Sequence, residues 1–456
     1  MTDSSADPKR IQAYRDAIAA DLPNTKAQLA ALCALPSISA QRKALPETAA
    51  AVRRLLEAEG FKTEEYAVGV APVIVAEAGS GPKTVLFYNH YDVQPPEPLD
   101  LWKSDPFQLT ERDGSWFARG VVDDKGHLIS RLASLRAVRA VNGSVPHRIL
   151  FAIEGEEEIG SPSITGFVQS HAERLKADAC IWEFGTLDVN ERPLIYGGMK
   201  GVVCMDLLCR TVDRDMHSMY GAVVPNAATR LAQALTSMMD AEGRVIIEGF
   251  RDGIRALTPE DEKALDALDD DSVAMRQEHG ITRMLGGVTG RDYMRRLIFE
   301  PVLNVNGFTS GYDGEGSKTV LPATAKAKLD IRLVPDQNPR RIVGLFEAHL
   351  KRHGFPDIEV IEIETSGYPA RTDLSDPFVQ RCVNMARAAY GREPAVWPIV
   401  PGSGPMHAFI DSLKVPVSSF GVGWEGSRVH SPNENIRIQD FLDGVLHGAL
   451  VLEGGW

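Results

Sequence analysis

Apolar positions recur every three or four residues at Ile11, Tyr14, Ile18 and Leu22, which predicts an amphipathic helix interrupted at Pro23. A second helix is expected near Thr48 to Glu59, with Gly60 as its C-terminal cap. Short β-rich runs then predict strands at Val73–Ala76, Thr84–Tyr88, Arg148–Ile153 and Ala179–Trp182. A helix from Leu128 to Val141 falls among them. Helices alternating with buried strands predict an α/β layer: a mostly parallel sheet flanked by helices.

The texture changes after Gly197-Gly198. Val202–Cys209 reads as a strand, Asn226–Met239 as a helix, and 240–300 as an acidic, mostly polar region with helical stretches. Ala325–Val334 alternates strictly, Arg341–His353 is helical, and Ile358–Ile363 is another strand. Two strand–helix–strand passes fit a smaller α+β unit inserted into the larger one. From about Pro369 the chain returns to a helix, Phe378–Tyr390, and an apolar strand, Val415–Phe420. At 456 residues the chain is too long for one compact core. The expected division is 1–199 with 370–456 as the larger domain and 200–369 as the insertion.

Charge narrows the function classes. Lys and Arg number 49 against 62 Asp and Glu, a formal charge of −13. That sign argues against a nucleic-acid binder, which needs a basic footprint. No run of uncharged apolar residues is long enough for a spanning helix, and MTDSSADPKR lacks the apolar core of a secretory signal. Neither a membrane nor a nucleic-acid partner is expected. The cysteines, Cys33, Cys180, Cys204, Cys209 and Cys382, have no C-x-x-C spacing. They read as free thiols in a reducing cytoplasm.

Acidic and histidine residues gather at strand ends, where open α/β sheets place their sites. His90 follows Thr84–Tyr88, and Asp92 stands two residues on, so both can face one side of an extended segment. An imidazole beside a carboxylate is the usual pairing of a metal ligand and its orienting group, although H-x-D alone also describes a solvated pair. Asp123-Asp124-Lys125-Gly126 precedes a helix and, taken alone, also fits a helix cap. Glu154-Gly155-Glu156-Glu157-Glu158 follows a buried strand. Carboxylates so crowded repel one another, which is costly without a cation. Glu183 closes Ala179–Trp182, and His430 lies in Arg428-Val429-His430-Ser431-Pro432. Two imidazoles with several carboxylates suit zinc, or manganese at a mixed nitrogen and oxygen site. Two metals about 3.5–4 Å apart would need a bridging carboxylate and could activate a water between them.

These motifs resemble the M20 family of dinuclear zinc metallopeptidases, in its carnosinase-like dipeptidase branch. The resemblance rests on HYDVQP at 90–95, WKSDPF at 102–107, RGVVDDKG at 119–126, EGEEEIGS at 154–161, KTVLP at 318–322, IRLVP at 331–335 and HSPNE at 430–434. It implies two divalent ions per chain, zinc or alternatively manganese or cobalt. His90 would bind one ion and His430 the other, with Asp123 bridging and Glu158 and Glu183 completing the spheres. Asp92 would orient His90, and Glu157 would be the general base. The peptide bond after Asp123 would be cis. The insertion would act as a lid and dimerisation domain, with His217 of Asp215-Met216-His217-Ser218 stabilising the oxyanion in the partner of a homodimer. Arg332 would hold a substrate carboxylate, with Thr319, Gly402 and Ser403 as further contacts.

The expected reaction is hydrolysis of a terminal amide bond in a dipeptide or small peptide. Two departures bear on this. PGSGPM stands where dipeptidases of the family often carry a GGS-I-P-like run, and Glu183 stands where they tend to place Asp. Glu there is similar to carboxypeptidases and deacylases, so an N-acyl amino acid deacylase of the acetylornithine or succinyl-diaminopimelate type is the alternative. A non-catalytic binding protein on a decayed peptidase fold would require loss of a ligand or of the base, and all are present. His127, His147, His171, His279, His349, His353 and His447 lack such context and read as surface or satisfied core residues, and His407 is left without a role.

Overall fold

A computed structural model describes residues 7–456, apart from the side chains of residues 362–366. The chain divides into two compact units. The first comprises the chain up to Gly198 together with Arg371–Pro398 and Ala408–Trp456; the second comprises Met199–Ala370 and Ile399–His407.

The first unit is built on a six-stranded sheet in the order Lys62–Tyr66, Val73–Ala78, Arg148–Glu154, Thr84–His90, Ala179–Trp182, Val417–Ser419. The last four strands run parallel, and the first two join antiparallel at one edge. The inner strands are buried on both faces, which explains why they read as continuous apolar runs rather than alternating ones. Helices Pro8–Cys33, Lys125–Asn142, Pro377–Tyr390 and Ile438–Leu452 pack around the sheet. Their apolar faces join Phe87, Phe151 and Ile181 in one core, where the rings of Phe87 and Phe151 stack at 4.9 Å. The register sets His90 beside Glu154, so two strands deliver polar residues to the same carboxyl-terminal edge.

The first helix corrects the expected break. It runs unbroken from Pro8 to Cys33 with Pro23 inside it. Beyond the proline, Thr25, Leu29, Leu32 and Cys33 are buried, so the apolar stripe continues and tertiary packing outweighs the lost backbone hydrogen bond. The second helix, Leu45–Ala58, ends as expected: Gly60 takes φ +85°, where an L side chain would be strained.

The second unit carries a four-stranded antiparallel sheet in the order Val302–Ser310, Thr324–Leu333, Gly201–Arg210, Ile358–Gly367. Helices Ala227–Met238 and Pro339–Arg352 cover one face through Leu231, Leu235 and Phe346 against Val203, Met205 and Leu207. Val302–Ser310 is absent from the sequence-based expectation. It is an edge strand, mostly exposed and interrupted by Asn304, Asn306 and Gly307, so it lacks an alternating pattern. No helix among the described residues is long and apolar enough to cross a membrane.

Because the Pro23 ring is exposed, replacing it removes little packing and restores a donor for the carbonyl four residues back. Pro23→Ala should therefore stabilise the protein by about 1–2 kcal/mol in urea denaturation. An unchanged or lowered midpoint would contradict this account of the helix.

Candidate metal centre

His90 ends the strand Thr84–His90 and is buried. Its backbone N–H donates to Asp124 Oδ2 at 3.1 Å, and Asn89 Nδ2 donates to the same oxygen at 2.7 Å. Its ring Nδ1 lies 3.2 Å from Asp92 Oδ1, which leaves Nε2 facing Asp123 Oδ1 at 3.1 Å. Asp92 joins two motifs: its carboxylate also accepts the backbone N–H groups of Glu157 and Glu158, at 3.2 and 3.0 Å. One side chain thus fixes both the imidazole and the turn that carries the glutamates.

Asp123 is approached from its other side by His430, whose Nε2 lies 3.0 Å from Oδ2. The same His430 nitrogen is 3.1 Å from Glu158 Oε2, which also accepts Gln94 Nε2 at 2.9 Å. Ligand atoms of Asp123, Glu158 and His430 all lie within 4.8 Å of one another. Each oxygen of Asp123 therefore faces a different imidazole. The Asp123–Asp124 peptide bond is cis.

Glu183 follows the strand Ala179–Trp182. It is buried, and its Oε2 has no hydrogen-bond partner. The backbone at this strand end is held by Arg131 Nη2, which donates to the carbonyls of Glu183 at 2.9 Å and Phe420 at 2.6 Å.

The electrostatics follow from crowding. Burial alone would raise the Asp123 carboxyl, but hydrogen bonds from His430 and His90 override it and hold it well below the usual range. Burial opposes protonation of His90, yet Asp123 and Asp92 hold it well above the ordinary imidazole value. Asp123 and Glu158 push His430 up to about 10. Burial, reinforced by Asp123 and Glu158, pushes Glu157 up to about 7. Burial and the nearby Glu157 drive Glu183 well above the carboxylate range. In these contacts the imidazole protons balance carboxylates that a cation would otherwise neutralise.

These residues fit a metal. Nitrogen and oxygen donors sharing a tetrahedral zinc at about 2.1 Å would lie roughly 3.4 Å apart, close to the observed contacts. The unpartnered Glu183 oxygen is a buried donor without a counterpart, as an absent cation would leave it.

Three supporting groups carried no assigned role in the sequence reading. Glu434 is fully buried and accepts Arg119 Nη1 at 2.7 Å and the backbone N–H groups of Gly120, Val122 and Asp123 at 3.0–3.1 Å. It thereby shapes the loop that presents Asp123. Gln94 and Asp124 are the other two. All three lie inside the quoted motifs, so the signal was present without a role attached. His127, in contrast, is a satisfied core residue: it contacts Val122 O at 2.6 Å and Gly185 O at 2.9 Å, and burial lowers it to about 4.

In the second unit, His217 lies on the two-residue strand Met216–His217, paired to Val320, and accepts the Met219 N–H at 3.1 Å. The Thr319 carbonyl accepts the Ser218 N–H at 3.2 Å, so the two motifs adjoin. Arg332 donates to Ser403 Oγ at 2.9 Å and to Asp330 Oδ2 at 3.3 Å. The Gly402 carbonyl accepts the Lys200 N–H at 3.0 Å. His407 is buried, and burial lowers it to about 4.

A parallel sheet with two imidazoles and several carboxylates at its strand ends is the architecture of a metal-dependent hydrolase. The chain belongs to peptidase family M20/M25/M40, whose model matches residues 86–453. It is 29% identical to the human Beta-Ala-His dipeptidase over 84% of this chain and 78% of that protein. It is also 29% identical to a Cys-Gly metallodipeptidase of Schizosaccharomyces pombe over 71% of this chain and 72% of that one. Among solved structures it is similar to the M20 family metallo-carboxypeptidase Sso-CP2 from Sulfolobus solfataricus. There the TM-score is 0.85 at 35% identity, covering 94% of this chain and 98% of that one.

Removing Glu434 would strand Arg119, which is 1% exposed, without its counter-charge. Glu434→Ala should cost about 3–5 kcal/mol in chemical denaturation. A loss below about 1 kcal/mol would mean that the carboxylate does not hold the Asp123 loop.

Proposed function

We propose that the chain hydrolyses the terminal amide bond of dipeptides or other small peptides with the help of two divalent cations, zinc being the ion its donors suit best. The observation that carries this reading is Asp123, whose two oxygens face two different imidazoles at 3.0–3.1 Å. His90 would serve one ion and His430 the other, with Asp123 between them and Glu158 and Glu183 completing the two sets. Bound cations would supply Lewis acidity, polarising the scissile carbonyl and making water a better nucleophile at neutral pH.

The side chains of the protein perform the remaining tasks. Asp92 holds the His90 ring so that Nε2 points at Asp123. Glu157, beside Glu158 on the same turn, takes a proton from the attacking water and passes it to the departing amine. The exposed edge of His430 leaves room for substrate to enter. Arg332, presented by Asp330 and Ser403, offers a guanidinium to the substrate carboxylate, with Thr319 and Gly402 as neighbouring contacts. The second unit would act as a lid and as the contact surface of a homodimer, where His217 donates to the oxyanion in the partner's site.

A second reading within the same chemistry is favoured by Glu183. With Glu rather than Asp at that ligand position, and with a carboxypeptidase among the similar structures, N-blocked or N-acyl amino acid substrates come into play. A panel of free dipeptides, N-blocked dipeptides and N-acyl amino acids separates the two. Turnover concentrated on free dipeptides supports the dipeptidase, and turnover only on N-acyl amino acids replaces it with the deacylase. No turnover on any of the three with metal-loaded protein would reject both.

Glu157→Gln should keep its bound metal while kcat falls by at least about 10²-fold, the lower end of the effect of a general base. Metal analysis and steady-state kinetics check this, and an unchanged kcat would remove Glu157 from proton transfer. For His217→Ala, full metal content with a fall in kcat of about 10²–10³ is expected. Normal turnover would discard its role at the oxyanion.

A further inference from the structure

The acidic 240–300 stretch folds into short helices that enclose an apolar cavity of about 350 Å³ in the second unit. Met275, Ile281, Met284, Leu285 and Leu297 line it, and part of the apolar surface remains open to water: Leu285 is 56% exposed and Met275 37%. The volume is at the lower end of the range for small-molecule sites, and the pattern is theirs too: apolar walls with a few charged groups.

Those charged groups are predominantly cationic. Lys200, Arg244, Arg251, Arg283 and Arg296 line the cavity against a single carboxylate, Glu300. Arg251 occupies that carboxylate at 2.5 Å. Lys200 Nζ donates to the Glu300 carbonyl at 2.6 Å, Arg296 donates to the carbonyls of Leu285 and Glu242, and Arg244 pairs with Glu242 at 2.8 Å. Arg283 is exposed and has no carboxylate partner among the described residues. In a chain with a formal charge of −13, a cationic rim around an apolar hole is a local inversion of sign. Such complementarity selects against cations and favours an anion that also has an apolar body.

We propose that this cavity binds a small amphiphilic carboxylate of the medium-chain fatty acid class. Its alkyl chain lies against Met284, Leu285 and Leu297, and its carboxylate meets Arg283 at the mouth. The site is separate from the substrate carboxylate contact assigned to Arg332. It does reach the same loop: Lys200, which lines the cavity, donates its backbone N–H to Val400 O at 3.1 Å and Gly402 O at 3.0 Å, next to Ser403. The proposal does not depend on the hydrolytic reading.

Titration calorimetry of the full-length protein with decanoate tests it, with decyltrimethylammonium as the probe of opposite charge. Saturable binding of one decanoate per chain, at least tenfold weaker in Arg283→Glu and abolished in Met284→Trp, is the expected result. Arg332→Ala should bind decanoate as the parent does. Absence of saturable decanoate binding, equal binding of the cationic probe, or loss of binding in Arg332→Ala would each overturn the assignment. Unaltered binding in Arg283→Glu would do so even if Met284→Trp fails to fold. If sedimentation shows that these cavity variants dissociate a dimer while decanoate does not bind the parent, the cavity is a contact between copies and the proposal fails.

Discussion

Negative charge gathered at the end of a buried sheet is the constraint on which the first unit depends. Asp92, Asp124, Glu154 and Glu183 are each less than a tenth exposed, and Asp123, Glu157 and Glu158 adjoin them. Carboxylates so placed lose hydration and repel one another, as the raised values of Asp124, Glu157 and Glu183 record. Two imidazoles and Arg119 offset only part of this. A fold that retains such a cluster is stabilised by further positive charge at its centre, which the divalent cations proposed for this site would supply.

The scaffold holds the candidate site together through carboxylates outside the proposed ligand set. Asp92 clamps the His90 ring and the Glu157–Glu158 turn together, and Glu434 gathers Arg119 and three backbone N–H groups around the approach to Asp123. Asp124 fixes the end of the strand that carries His90. His90 and Asp123 are thus held to hydrogen-bond precision by neighbouring buried groups, Asp92 and Glu434, that lie far from them or from each other along the chain. Family membership agrees with this arrangement, since residues 86–453 span every element that contributes to it.

Much of this was legible in the chain. Strands buried on both faces announced themselves as apolar runs, and Thr84–His90, Arg148–Glu154 and Ala179–Trp182 begin at the expected residues. The convergence of His90, Asp123, Glu158 and His430 was expected from the resemblance of their motifs to the M20 family. Propensity misled at Pro23, where burial of Leu29 and Leu32 decides the helix. The edge strand Val302–Ser310 was illegible because solvent, not a core, faces most of its side chains. The anchoring by Glu434 was also beyond sequence reasoning: a carboxylate in HSPNE looks the same whether it binds a cation, an arginine or water. The cavity in the 240–300 region was hidden for a related reason, since its apolar residues are scattered over several short helices among many charges.

The shared position of Asp123 is the centre of this account, and metal stoichiometry tests it most directly. Zinc content should be measured by mass spectrometry on the purified protein after loading and exhaustive dialysis, beside Asp123→Ala. Close to two ions per chain in the parent and near-complete loss of both in the variant are predicted, because one carboxylate serves both sites. A parent that holds no zinc, or a variant that keeps two ions, would contradict it.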